Sequence, residues 1–288
     1  MVVVFGSINL DLVARVPRIP APGETLSGSV FFTAPGGKGA NQALAARRAG
    51  ADVALYGAVG RDHFASAALA NLAAAGVRLE GVTPVEMATG VALIHVDDHG
   101  ENAITVVPGA NAVARADCVP DQRLAPGNSL LLQLEVPVAE VAALAMRAHR
   151  AGARVVLNAA PAAHLPASLL RSLDVLVVNE HEAASYAAAW SGPADPLAFV
   201  AWATEQFGIA VVLTLGSRGA LTVLEGQVVR AEPPRVDVID TTGAGDALAG
   251  ALVAALDRGD SLSCAVAEGV AAGAHACTHA GAQHPLSS

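Results

Sequence analysis

Aromatic side chains are scarce in this sequence, at 3% of 288 residues, although 53% of the residues are hydrophobic. A core of that composition must be built from Ala, Val and Leu, which suits helices packed on a sheet buried on both faces. Cysteine is nearly missing: Cys118, Cys264 and Cys277 are odd in number and show no C-x-x-C spacing. Disulfides and a zinc knuckle are therefore not expected; free thiols in a reducing compartment, the cytoplasm, are. No apolar run reaches about 18 residues, so no membrane span is expected. Met1 to Phe5 lacks the basic segment of a signal peptide and reads as a first strand. No long basic run occurs and the net charge is −9, so nucleic acid is not an expected partner. Internal repeats and low-complexity linkers are also missing, and residues 1–288 read as a single domain.

What the chain does have is Asp240-Thr241-Thr242-Gly243-Ala244-Gly245-Asp246 running into an apolar helix. The small residues let backbone approach a ligand closely. The first amides of a helix lack internal partners and carry the positive end of the dipole, which suits phosphate. A carboxylate beside them, Asp246, could deprotonate a hydroxyl that attacks a phosphoryl group. The plainer alternative is an Asp stabilised in a first helical turn.

Before this stretch, strands and helices alternate. Val2–Phe5 reads as a strand, with Asn9 and Asp11 beyond its C-terminal end. Leu26–Phe32 reads as a strand and Gly36-Gly37-Lys38-Gly39-Ala40-Asn41-Gln42 opens an Ala-rich helix. The Lys is followed by Gly39, not Ser or Thr, so this is not a Walker loop. Asp62 suits the N-cap of a helix that Gly76 closes. Residues 90–97 and 102–107 form a hairpin and, with Leu26–Phe32, a small separate sheet. From Ser129 the alternation is regular, which argues for a parallel sheet covered on both faces. Asn9, Glu135, Asn158, Asn179 and Thr214 stand at strand C-termini, the edge where ligands bind in such sheets. Asn179-Glu180-His181-Glu182 offers a carboxylate for water on a magnesium ion, or simply an Asn N-cap. Gly216-Ser217-Arg218-Gly219 could close over phosphates, or form a β-turn. A carboxylate at Asp240 could anchor a cation, with the Thr242 carbonyl beside it, or cap its own turn.

Together these segments resemble the ribokinase/phosphofructokinase-B superfamily of carbohydrate kinases, from Gly6 to about Pro285. The two long signatures, Gly36–Gln42 and Asp240–Asp246, carry the resemblance, supported by Pro22-Gly23-Glu24-Thr25, Gln133-Leu134-Glu135, Asn158-Ala159-Ala160-Pro161 and Gly281-Ala282-Gln283. It implies a three-layer α/β/α sandwich with a mostly parallel central sheet and a small β-sheet lid, whose strands are inserted at about 10–35 and 88–107. It further implies ATP-dependent phosphorylation of D-ribose at the 5-hydroxyl, giving D-ribose 5-phosphate and ADP. Alternatives are a deoxyribose, ketohexose or nucleoside kinase, or a non-catalytic sugar-binding relative; the intact Gly243–Asp246 turn argues against the last.

Position by position, the resemblance assigns Asp246 as the base, with the amides of Gly243, Ala244 and Gly245 at the transferring phosphoryl group. Asn9, Asp11, Gly37, Lys38, Gly39, Asn41 and Glu135 would surround the sugar. Asn179, Thr214, Leu215, Gly216, Ser217, Arg218, Gly219 and Gly245 would contact ATP. Glu182 would act on Mg2+ through water. Asp240, Thr242, Ala276, His279 and Gly281 would hold an activating monovalent cation, K+. The lid would also form a homodimer contact. Two departures touch the adenine and cation region: His284-Pro285 replaces Pro-Ser, and Ser288 comes soon after Gly281-Ala282-Gln283, where the family continues into another helix.

Overall fold

The structure is a computed structural model and describes residues 1–283. His284 and Pro285, where the sequence departs from the family pattern, lie outside the described residues. In chain order the elements are β1 (Val2–Phe5), β2 (Asn9–Arg15), β3 (Val30–Gly36), α1 (Lys38–Arg48), β4 (Val53–Gly60), α2 (His63–Ala74), β5 (Arg78–Val85), β6 (Gly90–Val96) and β7 (Asn102–Val107). There follow β8 (Ser129–Leu132), α3 (Val138–Ala151), β9 (Arg154–Asn158), α4 (Ala167–Leu170), β10 (Val175–Asn179), α5 (Glu180–Trp190) and α6 (Pro196–Phe207). The chain continues through β11 (Ala210–Thr214), β12 (Ala220–Leu224), β13 (Gln227–Ala231), α7 (Ala244–Arg258) and α8 (Leu262–Ala276).

The main sheet has nine strands in the order β13-β12-β11-β10-β9-β8-β1-β4-β5. The strands from β11 to β5 run parallel; β12 and β13 are antiparallel at one edge. Strand β1 shows why three layers form. All four of its residues are buried, and successive side chains point to opposite faces. Val2 and Val4 join Leu44 of α1, Leu72 of α2 and Leu252 of α7. Val3 and Phe5 join Leu144 of α3, Tyr186 of α5 and Phe199 of α6. Two apolar layers thus clamp the sheet, built mainly from aliphatic residues, with the few aromatics gathered in the layer of α5 and α6.

A second sheet, in the order β3-β2-β6-β7, is the small lid. Asn9 and Asp11 do not trail β1; they open β2, because the chain crosses Gly6-Ser7-Ile8 and starts the lid at once. The strand expected over Leu26–Phe32 begins at Val30 and runs on to Gly36, in register with β2 from Arg15↔Val30 to Asn9↔Gly36. Pro35 is tolerated because β3 is an edge strand. Likewise β8 stops at Leu132, leaving Gln133 and Glu135 beyond the strand. Strand order reverses between β1 and β8, and the crevice beyond the carboxyl ends there is where such sheets bind ligands. No helix among the described residues is long and apolar enough to cross a membrane.

Candidate active site

The crevice is held together by Glu135. The Ser7 hydroxyl donates to Glu135 Oε2 at 2.6 Å, and the Lys38 amide at the start of α1 donates to the same oxygen at 3.0 Å. The Gly39 amide donates to the Ser7 hydroxyl at 3.2 Å. One carboxylate therefore ties the end of β8 to the end of β1 and to the positive end of a helix. Asn9 is fixed by Asn111, whose Nδ2 donates to Asn9 Oδ1 at 2.7 Å. Asn111 in turn accepts from the Ile8 amide at 2.9 Å and donates to the Ile8 carbonyl at 3.1 Å.

Asp246, buried in the first turn of α7, is reached from α1. Asn41 Nδ2 donates to its Oδ2 at 2.9 Å and Gln42 Nε2 to its Oδ1 at 2.8 Å. Burial pushes the Asp246 carboxyl upward; Lys38, Asn41 and Gln42 pull it back, Glu135 raises it again, and the net direction is up. Asp11 is pushed from the ordinary 3.8 to about 6 by burial first, then by Glu135 and Asp246. Burial works against a charged Lys38, but Asp246, Glu135 and Glu182 more than offset it, so the ammonium is held firmly. A lysine facing three carboxylates is a built place for a polar, partly charged ligand.

Gly243 caps α7 with φ of 77°, and a Cβ there would lie 2.6 Å from Ala282 Cβ. Only glycine fits this left-handed position. The Gly243 and Gly245 amides donate to no backbone carbonyl among the described residues, whereas Ala244 donates to Thr241 at 3.2 Å. The anion-facing end of α7 is thus narrower than the three amides expected. It faces a cavity of about 140 Å³ lined by Lys38, Asn179, Glu182, Gly243, Gly245 and Asp246, among others. At this cavity Asn179 and Glu182 form a reciprocal capping box on α5, with bonds of 2.8 and 2.9 Å. Glu182 Oε1 takes no protein hydrogen bond among the described residues. Burial raises the Glu182 pKa, against the Asn179 amide and Lys38.

A larger cavity, about 490 Å³, shares Thr214 and Gly245 with the first. Gly216, Ser217 and Gly219 line it as expected. Two expected residues do not. Leu215 is part of the core under α5 and α6, and Arg218 pairs with Glu180 at 2.6 Å on the surface, where such pairs are weak.

Asp240 gathers the remaining expected positions. Its Oδ1 accepts from the Thr242 amide and hydroxyl at 2.9 and 2.7 Å, and its Oδ2 from the Gly281 amide at 2.8 Å. The His279 amide donates to the Ala276 carbonyl at 3.2 Å, and the Cys277 carbonyl after α8 accepts from the Ile239 and Asp240 amides at 2.8 and 3.2 Å, which seats the end of α8 beside this turn. Burial would raise the Asp240 pKa, but the bonds from Gly281 and Thr242 outweigh it and the carboxyl is held low. Among the described residues no cluster of three or more His, Cys, Asp or Glu is arranged to hold a metal.

The sequence profile described as pfkB family carbohydrate kinase matches residues 1–288. The chain belongs to this family. The ribokinase of Schizosaccharomyces pombe is 38% identical over 91% of this chain and 86% of that protein. The solved structure of Thermotoga maritima ribokinase superposes with a TM-score of 0.91, at 31% identity, covering 98% of this chain and 94% of that one. Arabidopsis thaliana ribokinase, complexed with ribose and ATP, superposes at 0.87 with 30% identity, covering 97% and 93%.

Several polar residues of this pfkB kinase were not legible as site residues. Ser7, Gln42, Asn111 and Gln133 are all buried and bonded within the crevice. The signal for Gln42 and Gln133 was their place inside apolar stretches, where an uncharged amide needs a partner. The apolar wall of the larger cavity was also missed. It comes from Val236, Val238, Leu248, Val270 and Ala274, partly on a segment with no regular structure, where no periodicity marks a buried face.

Proposed function

We propose that this enzyme transfers the γ-phosphoryl group of ATP to the 5-hydroxyl of D-ribose. The observation that carries the reading is the position of Asp246: a buried, oriented carboxylate at a helix N-terminus, lining the small cavity that adjoins the large one. Its similarity to ribokinases across most of its length supports the choice of sugar.

In this reading the sugar lies beneath the lid among Asn9, Asp11, Gly37, Lys38, Gly39, Asn41 and Glu135. The nucleotide base lies against the apolar wall of the larger cavity, with Asn179, Thr214 and the turn 216–219 near its ribose and phosphates. Asp246 takes the proton of the 5-hydroxyl as that oxygen bonds to the γ-phosphorus. The bond to the bridging oxygen breaks, and its electron pair leaves with ADP. The Gly243 and Gly245 amides offset charge on the transferring group, a contribution made largely in the transition state. Bound Mg2+ would screen the β- and γ-phosphate oxygens. The free Glu182 oxygen, facing a cavity that also holds Asn179, fits a water of its shell.

A monovalent cation, K+, fits the Asp240 corner. The carboxylate is held ionised, the Thr242 carbonyl accepts no backbone bond among the described residues, and the Ala276, His279 and Gly281 segments converge there. On the face opposite Asp11 the lid exposes Phe31, Leu93 and Val107, apolar side chains that fit a second copy of the chain as a homodimer contact. Localisation in the cytoplasm accords with the unpaired cysteines.

The test is a sugar panel in a coupled ADP-release assay. D-Ribose should be used with clearly higher kcat/KM than 2-deoxyribose or fructose, because a site built to bond a hydroxyl is left with unpaired polar groups when it is missing. Equal efficiency with deoxyribose or fructose would move the assignment to that sugar.

A further inference from the structure

Both oxygens of Asp246 are served by chains of amides. Gln133 Nε2 donates to Gln42 Oε1 at 2.7 Å, and Gln42 Nε2 donates to Asp246 Oδ1 at 2.8 Å. On the other side Gln283 Nε2 donates to Asn41 Oδ1 at 2.9 Å, and Asn41 Nδ2 donates to Asp246 Oδ2 at 2.9 Å. Each chain ends in a buried amide oxygen with no partner among the described residues, Gln133 Oε1 and Gln283 Oε1. At the first, Gly6 provides the space: a Cβ on Gly6 would lie 1.9 Å from Gln133 Oε1.

The direction of these chains follows from charge. An ionised carboxylate only accepts, so Gln42 and Asn41 must turn their NH2 groups towards it. Their carbonyl oxygens then face away and require donors, which Gln133 and Gln283 supply. Leaving a buried oxygen unsatisfied at each far end is costly, yet it occurs twice, on opposite sides of one carboxylate. Simple packing of the core does not account for that pairing.

We infer that Gln42 and Gln133 are positioning residues for phosphoryl transfer, forming with Asn41 and Gln283 two head-to-tail amide chains that hold Asp246 ionised and turn a free lone pair of the carboxylate towards the acceptor hydroxyl. This rests on the reading of Asp246 as the base. A proton placed on the Gln42 side of Asp246 would require the Gln42 amide to reverse, setting its NH2 against that of Gln133. The chains therefore penalise a proton on the sides they occupy and leave the sugar side open. They also counter the burial and the Glu135 charge that favour the protonated acid. The other charged groups facing Asp246 are Lys38 from α1, Asp11 from β2 and Glu182 from α5.

The experiment is the pH profile of the single-turnover phosphoryl-transfer rate at saturating D-ribose and MgATP. Wild type is compared with Gln42→Met, Gln133→Met and the double variant, all checked for folding by thermal unfolding. Saturating ribose keeps Asp11 bonded and out of the profile. Losing a donor makes Asp246 hold its proton more tightly, so the acid limb of Gln42→Met should move up by about one pH unit. Below the limb that is about a tenfold lower rate. Gln133→Met should move it by less, and the double variant should match Gln42→Met alone, since Gln133 acts only through Gln42. A limb that stays in place, rates depressed equally at all pH, or additive shifts would overturn the inference. If a Met variant unfolds below assay temperature, Gln42→Asn and Gln133→Asn replace it with the same expectation. Asp246→Asn separates the two levels. Full activity in that variant removes the base itself; an inactive Asp246→Asn with unmoved glutamine profiles removes only the amide chains.

Discussion

Asn41 and Asp246 stand 205 residues apart in the chain and 2.9 Å apart in the fold. That bond joins the two glycine-rich signatures, one opening α1 and the other opening α7. Neither builds a site alone. The first supplies amides and a lysine but no free carboxylate, and the second supplies a carboxylate whose pKa burial pushes up. Their contact is set by α1 and α7 lying side by side on one face of the sheet, with Gly250 letting α7 approach the Gln42 carbonyl.

The two glycines flanking Ala244 should separate folding from function. Gly243→Ala puts a methyl group against Ala282 and an L-residue at φ of 77°, and should cost about 1–3 kcal/mol in urea unfolding. A Cβ at Gly245 meets nothing within 4 Å in the protein. Gly245→Ala should leave stability unchanged or raise it by up to about 1 kcal/mol, because alanine suits a helix better. Its methyl group enters the space shared by the two cavities, so the ADP-release rate should fall at least about tenfold. Equal stability loss in both variants would contradict this placement.

Asp11 should trade stability for sugar binding. Its folded pKa of about 6 lies above the ordinary 3.8, so the folded chain holds this proton more tightly than the unfolded chain does. The associated stability is fully present below about pH 3.8 and is lost as pH rises through about 6. At pH 8 the ionised Asp11 therefore costs about 1–3 kcal/mol. Asp11→Asn should recover most of that at pH 8 and progressively less towards pH 5, by urea unfolding. The same variant should bind ribose more weakly, and the wild-type ribose KM should rise as pH falls below about 6. A pH-independent gain would show that Asp11 is not strained by its neighbours.

Much of the framework was legible in the chain because it follows from local chemistry. Asp62 caps α2 through its side chain, and Gly76, at φ of 75°, follows its end, both as expected. Glu135, Asn158, Asn179 and Thr214 stand along one edge of the sheet, as their places after apolar runs implied. Strand β5 was not legible, because an edge strand with Glu80, Thr83 and Pro84 lacks an apolar run. Helix α8 was hidden by its Ala- and Gly-rich composition, which blurs the helical period. In the site, what escaped reading was the support of side chains by partners over 90 residues away, as with Ser7 on Glu135 and Gln133 on Gln42. Spacing in a sequence carries no trace of such a bond.

The Asp240 corner predicts cation dependence. At fixed magnesium and ionic strength, the ribose kinase rate in potassium should exceed that in an equal concentration of a bulky organic cation. The ion would stiffen the turn leading into α7, so the effect should fall on kcat more than on KM for ribose. Asp240→Ala should abolish the difference. Equal wild-type rates in the two salts would leave Asp240 as a turn cap for Thr242 and Gly281 alone.

The central claim is that Asp246 takes the proton of the acceptor hydroxyl, and Asp246→Asn tests it most directly. This side chain keeps the size and place of the carboxylate but cannot serve as a base. Its single-turnover rate with saturating ribose and MgATP should fall by about two to four orders of magnitude, with ribose affinity by calorimetry little changed. A variant that binds ribose and transfers phosphate at near the wild-type rate would contradict the account.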